Sequence, residues 1–188
     1  MSFHFNSSDG EHDFRCNLDC ERCQGHARST GQQCRKVTCK YLPLCFIHLK
    51  QNGLQVKQSN IPNGGDGLFT LIARERGELI GEYTGEELTD EELHDRYGDD
   101  TAPFAVKGKR NFNVDPACER CYSAYANTAR GSNYQNNCTF IVSHQGGTRV
   151  RVRTTKAVPA NAELFVAYGA NYWNHLQGTY LTRKYKIR

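Results

Sequence analysis

The sequence predicts a mainly β domain behind a small metal-binding module, and three observations carry that reading. From about residue 55 onward, short apolar runs rich in β-branched and aromatic residues alternate with turn signals, the texture of strands. One stretch, TDEELHDRY at 89–97, has the composition and start signal of a helix. Six of the nine cysteines (Cys16, Cys20, Cys23, Cys34, Cys39 and Cys45) lie within the first 45 residues. A chain of 188 residues accommodates one domain plus such a module. Its 24 Lys and Arg against 20 Asp and Glu leave a net charge of +4, too modest to mark a nucleic-acid binder without a concentrated face. No run approaches the roughly 18 apolar residues of a membrane span. The polar first 13 residues lack the apolar core of a secretory signal, so neither membrane nor export is expected. In a reducing compartment, clustered thiols are more often metal ligands than disulfides.

The module is expected over residues 1–54. Cys45 and His48 form a C-x2-H pair, a spacing that lets one turn present a thiolate and an imidazole to one ion. Cys23 and Cys34 supply the other half, with Ser29, Thr30 and Gly31 turning the chain before Cys34. A structural zinc ion takes four such ligands in a tetrahedron, and a segment this poor in apolar residues needs the metal in order to fold. Cys16, Cys20 and Cys39 are further candidates, and Cys20-x2-Cys23 is an alternative half-site. Beside the purely structural clip stands a docking role, for which Arg28, Arg35, Lys36 and Lys40 supply charge.

Strands are expected over 67–72, 78–83, 140–142, 148–153 and 163–168. The fourth alternates cleanly, with Val150 and Val152 on one face and arginines on the other. In the helical stretch Thr89 is the expected cap, with Glu92 three residues on, and its acids form a solvated face. Cys118, Cys121 and Cys138 are expected to be plain thiols, since a fourth metal partner is not evident. Residues 174–188 carry Arg183, Lys184, Lys186 and Arg188 without an acid, a basic tail through which nucleic acid could be held.

Four segments then recur in a telling order: IPNGGDGLF at 61–69, GELIGEYTGE at 77–86, NFNVD at 111–115 with SAYANTAR at 123–130 and NNC at 136–138, and ELFVAYG at 163–169 with NYW at 171–173. Together they resemble the SET-domain family of protein-lysine methyltransferases, over about residues 55–173. The chain departs from the family pattern at Thr128, where His is usual, at Ala129 for Ser, at Asn136 for Pro and at Ala167 for Asp. No cysteine follows Cys138, so the cysteine-rich segment that closes many members is missing; compact, viral-type members end similarly on a Tyr-Trp pair, here Tyr172 and Trp173.

The resemblance implies a SET β-fold in which the C-terminal strand threads a loop, pseudoknot-like, and brings Asn127 beside Tyr168. It implies S-adenosylmethionine as cofactor, held by Gly64, Gly65, Asp66, Asn127 and Thr128. It makes Tyr168 the catalytic candidate and Tyr83 the second aromatic wall of the lysine channel, with Val166 and Trp173 lining that channel. Methyl transfer to a neutral amine is an in-line displacement. It asks for alignment, a dry channel and uncharged dipoles rather than a nucleophile of the enzyme's own. Val166, smaller than Phe or Tyr, leaves room for di- or trimethyl-lysine. Asp115 is expected to order its loop. The implied substrate is a histone tail or nucleosome, and the implied location nuclear or chromatin-associated. The other readings are a catalytically inactive SET-like interaction module and a zinc-dependent nucleic-acid-binding regulator.

Overall fold

The computed structural model describes residues 2–7, 9–17, 19–39, 42–98, 102–108, 112–143 and 149–168. Trp173, Tyr172 and the basic tail lie outside the described residues.

Among the described residues, the first 51 hold two small hairpins and a short helix. Strands β1 (Ser2–Ser7) and β2 (Gly10–Arg15) pair antiparallel, as do β3 (Cys20–Arg22) and β4 (Val37–Cys39). Helix α1 (Phe46–Gln51) follows, with Cys45 at its N-cap. The β1–β2 hairpin is absent from the sequence reading because its polar residues carry no strong strand period. It docks through Phe14, whose ring meets Tyr97 edge-on at 5.3 Å and carries the Arg96 guanidinium at 4.6 Å.

Next, β5 (Leu54–Gln58) and β6 (Asp66–Thr70) form a hairpin around the glycine-rich turn. Strand β7 (Leu79–Tyr83) leads into β8 (Glu86–Thr89) and helix α2 (Asp90–Tyr97). The predicted helix start holds. Thr89 Oγ1 accepts from the Glu92 N–H while the Glu92 carboxylate accepts from the Thr89 N–H, so two orphan donors are satisfied reciprocally. Strands β9 (Val106–Lys107) and β10 (Phe112–Asp115) complete a three-stranded sheet of order β8-β10-β9. A 3₁₀ turn (Tyr122–Tyr125) precedes β11 (Cys138–Ser143), β12 (Arg149–Thr154) and β13 (Val166–Ala167). These join β7 in a sheet of order β13-β11-β12-β7. In β12 the predicted alternation is realised: Val150 and Val152 are buried, and Arg149 and Arg153 are exposed.

Only Val166 and Ala167 of the predicted strand 163–168 make a ladder, which runs parallel to β11. The rest is held by single bridges. Leu164 N–H donates to the Leu68 carbonyl, and Val166 N–H to that of Asn127. The backbone N–H groups of Asn137 and Cys138 both donate to the Phe165 carbonyl. The Asn137 side chain also grips this segment, donating to the Glu163 carbonyl and accepting from the Phe165 N–H, each at 2.8 Å. The C-terminal segment therefore runs between residues 126–127 on one flank and 137–139 on the other. The loop joining those flanks closes around it, which is the threading the family resemblance implied. Leu54, Leu68, Ile80, Val152, Leu164 and Val166 lie at the centre of the core.

One expectation about the cysteines is corrected. Cys16 is not beside the other early cysteines of the metal cluster; it forms a disulfide with Cys118, 102 residues away. Cys118 is thus not a plain thiol. Sequence spacing could not reveal the pair, because the bond joins the end of β2 to the loop after β10.

Candidate functional site

The two predicted tyrosines converge. Tyr83 ends β7 and is 6% exposed; its hydroxyl donates to the Phe104 carbonyl at 2.7 Å. Tyr168 follows β13 and donates to the Ala126 carbonyl at 3.2 Å. Between them stands Phe140 of β11, which meets the Tyr83 ring edge-on at 5.0 Å and lies 20° from parallel to the Tyr168 ring at 6.4 Å. Burial pushes the Tyr168 hydroxyl up to about 12. Burial also holds Tyr83 well above the ordinary tyrosine range, and the nearness of Tyr168 adds to that. Both hydroxyls therefore stay protonated at neutral pH, as neutral dipoles in an apolar setting. Phe140 is a residue of this cluster that sequence reasoning missed: it was legible as a strand residue, but not as the neighbour of both tyrosines.

The predicted cofactor loop lies next to this cluster, and Asn127 ties it down. The Asn127 amide donates to the Gly64 carbonyl at 3.3 Å and to that of Asp66 at 3.1 Å. Gly65 sits at φ +65°, the left-handed region where a side chain is strained, with open space where a Cβ would stand. A second anchor was not anticipated. The buried Glu163 carboxylate accepts from the Ser59 hydroxyl at 2.6 Å and the Asn60 N–H at 2.7 Å, so it fixes the loop from the C-terminal segment. Thr128 follows Asn127 and is half-buried. Val166 is fully buried, two residues before Tyr168.

Asp115 orders its surroundings, as expected. It is fully buried and accepts from Tyr97 at 2.8 Å, from Arg96 at 2.9 Å and from the Ala117 N–H at 3.1 Å. Burial raises its carboxyl above the usual range, and the Tyr97 bond and the Arg96 charge oppose that. Arg96 also reaches Glu86 of β8, so α2 is tied to both β8 and β10.

In the module, one potential ligand atom from each of Cys23, Cys34, Cys45 and His48 lies within 4.8 Å of the others. His48 Nδ1 is 3.4 Å from the Cys23 sulfur and 3.3 Å from that of Cys45. Its other nitrogen is 3.2 Å from the His26 carbonyl; donating there leaves Nδ1 unprotonated and able to ligate. Gly25 is required here, because a Cβ would stand 2.3 Å from the His48 ring. Burial raises the Cys45 thiol, but the N–H groups of the first turn of α1 and the His48 ring outweigh it and set it at about 6. Three sulfurs and one imidazole nitrogen at these separations fit a tetrahedral zinc ion. All four predicted ligands are thus brought together; among the described residues Cys20 is not part of this cluster, and the Cys39 side chain lies outside them.

Comparison with known proteins agrees with the geometry. The chain is 25% identical over 193 residues to the Caenorhabditis elegans protein "Histone-lysine N-methyltransferase set-17", covering 95% of this chain and 66% of that protein. An active polycomb repressive complex 2 in its stimulated state contains a chain that superposes with a TM-score of 0.56 at 26% identity, over 63% of this chain and 15% of that one. For the Chaetomium thermophilum polycomb repressive complex 2 the TM-score is 0.57 at 26% identity, over 65% and 16%. The chain thus spans under two thirds of the length of these relatives. The SET domain family model matches residues 65–169, more than half of the sequence and every element that frames the two tyrosines, so the chain belongs to the SET-domain family.

Proposed function

We propose that the protein is an S-adenosylmethionine-dependent protein-lysine N-methyltransferase that acts on histone tails, in a nuclear or chromatin-associated setting. The observation that carries this reading is the pair of neutral tyrosine hydroxyls flanking Phe140, next to a loop tied by Asn127 and Glu163. The histone preference draws on the similarity to the worm methyltransferase. We assign residues 1–54 to the zinc module, 55–173 to the catalytic domain and 174–188 to the basic tail.

The residues fit the cofactor: Gly65 leaves an open backbone cradle, and its neighbours Gly64 and Asp66 are held in place through their carbonyls. When bound, S-adenosylmethionine supplies a methyl group made electrophilic by its sulfonium. The chain's own work is then positional. Tyr83, Phe140 and Tyr168 form aromatic walls that exclude water from the lysine side chain, and desolvation lowers the lysine pKa, which favours the neutral amine. The Tyr168 hydroxyl orients the amine lone pair along the line of transfer and offers a dipole where charge redistributes. Tyr83 bonds the amine from the opposite wall. Val166 sets the width of the channel; Trp173, outside the described residues, is assigned to the channel from the family resemblance alone. Thr128 faces the adenine through its backbone. Zinc at Cys23, Cys34, Cys45 and His48 fixes the module.

The test is labelled methyl transfer to core histones, together with calorimetric titration of S-adenosylmethionine. Cofactor binding with transfer that Tyr168→Phe abolishes is the expected result. A wild-type chain that binds no cofactor would instead make this a SET-like interaction module.

A further inference from the structure

Arg120 brings a positive charge into the domain interior. It is 6% exposed and lies in the loop between β10 and the 3₁₀ turn. Burying a guanidinium is costly unless its surroundings compensate the charge. Two aromatic rings and a carbonyl contribute to that here. Its Cζ stands 4.2 Å from the centroid of the Phe104 ring and 5.4 Å from that of Tyr125, both within cation–π range. Its Nε donates to the Pro116 carbonyl at 3.4 Å. The loop that carries it is itself fixed: Cys118 is bonded to Cys16, and the Ala117 N–H donates to the buried Asp115 carboxylate. Both rings belong to the main chain that receives a tyrosine hydroxyl. The Phe104 carbonyl accepts from Tyr83 at 2.7 Å. Tyr125 is joined to Ala126, whose carbonyl accepts from Tyr168 at 3.2 Å. Arg120 and Thr84, the residue after Tyr83, also line one cavity of about 290 Å³. Burial holds the Tyr83 hydroxyl well above the tyrosine range and Tyr168, Cys121 and Asp115 add to that, while the Arg120 charge opposes it, so the field of the guanidinium reaches this hydroxyl.

We propose that Arg120 is a positioning residue for methyl transfer: by clamping Phe104 and Tyr125 together it sets where the hydroxyls of both Tyr83 and Tyr168 stand. The inference rests on the methyltransferase reading above and adds a residue to it. Each hydroxyl spends its one proton on a main-chain carbonyl, so its oxygen is left to accept. A lysine amine that donates its N–H groups to these oxygens keeps its lone pair free for the methyl group. The direction of that lone pair then depends on where the two oxygens sit, and those follow the carbonyls of Phe104 and Ala126. Displacing reacting groups by about 1 Å costs on the order of 10²-fold in rate, so a clamp on both carbonyls acts directly on transfer. A guanidinium suits the task because its flat, delocalised plate can lie against two rings at once, whereas a lysine ammonium is a compact point charge.

Single-turnover transfer of a labelled methyl group by the full chain, with calorimetric titration of S-adenosylmethionine, tests this. Arg120→Lys and Arg120→Met should each slow transfer about tenfold, with cofactor affinity within about twofold of wild type. Because Arg120 acts through the hydroxyls, its loss should not multiply with theirs. In a Tyr83→Phe or Tyr168→Phe chain, Arg120→Met should cost only about threefold or less, whereas a general loosening of the fold would cost the same tenfold in every background. Arg120→Lys keeps the charge and carries the test where Arg120→Met fails to fold. Carbon-13 NMR of tyrosines labelled at Cζ gives a readout that needs no activity, with Tyr83 and Tyr168 assigned through their Phe variants. Both signals should move in Arg120→Lys, while that of Tyr134, stacked on Phe165, stays in place. Unchanged transfer in both Arg120 variants, losses that multiply, or unmoved Tyr83 and Tyr168 signals would each overturn the proposal. A wild type that transfers no methyl group overturns the methyltransferase reading instead, and the NMR signals then still decide whether Arg120 clamps the two tyrosines.

Discussion

The module and the SET domain are held together by opposite means. In the domain, Leu68, Val152, Leu164 and Val166 are essentially inaccessible to water, so cohesion is spread over many apolar contacts. In the module, Val37, Phe46 and Ile47 are exposed, and Cys23, Cys34, Cys45 and His48 gather about one point. A dispersed core tolerates the loss of one contact by degrees. A four-ligand centre fails as a unit, because each ligand is a quarter of the coordination shell.

The largest effect should therefore come from one side chain in the module. His48→Ala, or chelation of the wild type, should release that zinc and unfold the module, since structural zinc contributes on the order of 10 kcal/mol to such small folds. Limited proteolysis should then cut within 1–54 while the domain stays resistant. Gly25→Ala should act the same way more weakly, by displacing the His48 ring. Leu164→Ala in the domain should cost about 2–5 kcal/mol of global stability and leave zinc content unchanged. If chelation lowered the domain's melting temperature as much as Leu164→Ala does, the contrast between the two regions would break down.

Next in size is an effect on activity with only a small one on stability. Tyr168→Phe keeps the ring packed near Phe140 and removes one hydroxyl, whose bond to the Ala126 carbonyl contributes about 1 kcal/mol. Loss of a single transition-state dipole costs about 10²–10³-fold in kcat. Tyr83→Phe should cost less, because that hydroxyl is held more tightly by a carbonyl, at 2.7 Å from Phe104 against 3.2 Å between Tyr168 and Ala126. Equal rates for Tyr168→Phe and wild type in single-turnover transfer would remove Tyr168 from the chemistry. Glu163→Gln comes below this. It places an amide donor among the two donors that Glu163 now accepts from, so the loop should loosen and the apparent KM for the cofactor rise about tenfold, with kcat nearly unchanged.

What the sequence disclosed divides along the same line. Local signals were legible: the Thr89 cap with Glu92, the alternation at Val150 and Val152, the C-x2-H pair of Cys45 and His48. Each is decided within one turn or one strand. The family resemblance added the tyrosine pair and Asn127, which distance along the chain conceals. What stayed hidden depended on long-range closure. Phe140 becomes the neighbour of both tyrosines only once β11 lies beside both β12 and β13. Glu163 becomes a loop anchor only by reaching Ser59 and Asn60 across more than 100 residues. The Cys16–Cys118 bond likewise leaves no trace in spacing.

The smallest effect on rate, and the sharpest on outcome, is expected at Val166. Its side chain is fully buried among core residues, and its N–H is bound to the Asn127 carbonyl. It thus belongs to the dispersed core and, two residues before Tyr168, to the proposed channel as well. Val166→Phe adds volume in a packed setting, so a cost of about 1–3 kcal/mol is expected from strain. If the added ring is accommodated on the channel side, it occupies space that a second methyl group on the lysine nitrogen needs. The first transfer should then continue at a rate within a few fold of wild type, while further methylation falls away. Mass spectrometry of a peptide product at saturating cofactor reads this directly: di- or trimethyl-lysine for wild type, monomethyl for Val166→Phe. A wild type that stops at monomethyl would mean that Val166 does not set the width, and that Phe140, wedged between the two tyrosines, is the residue that does.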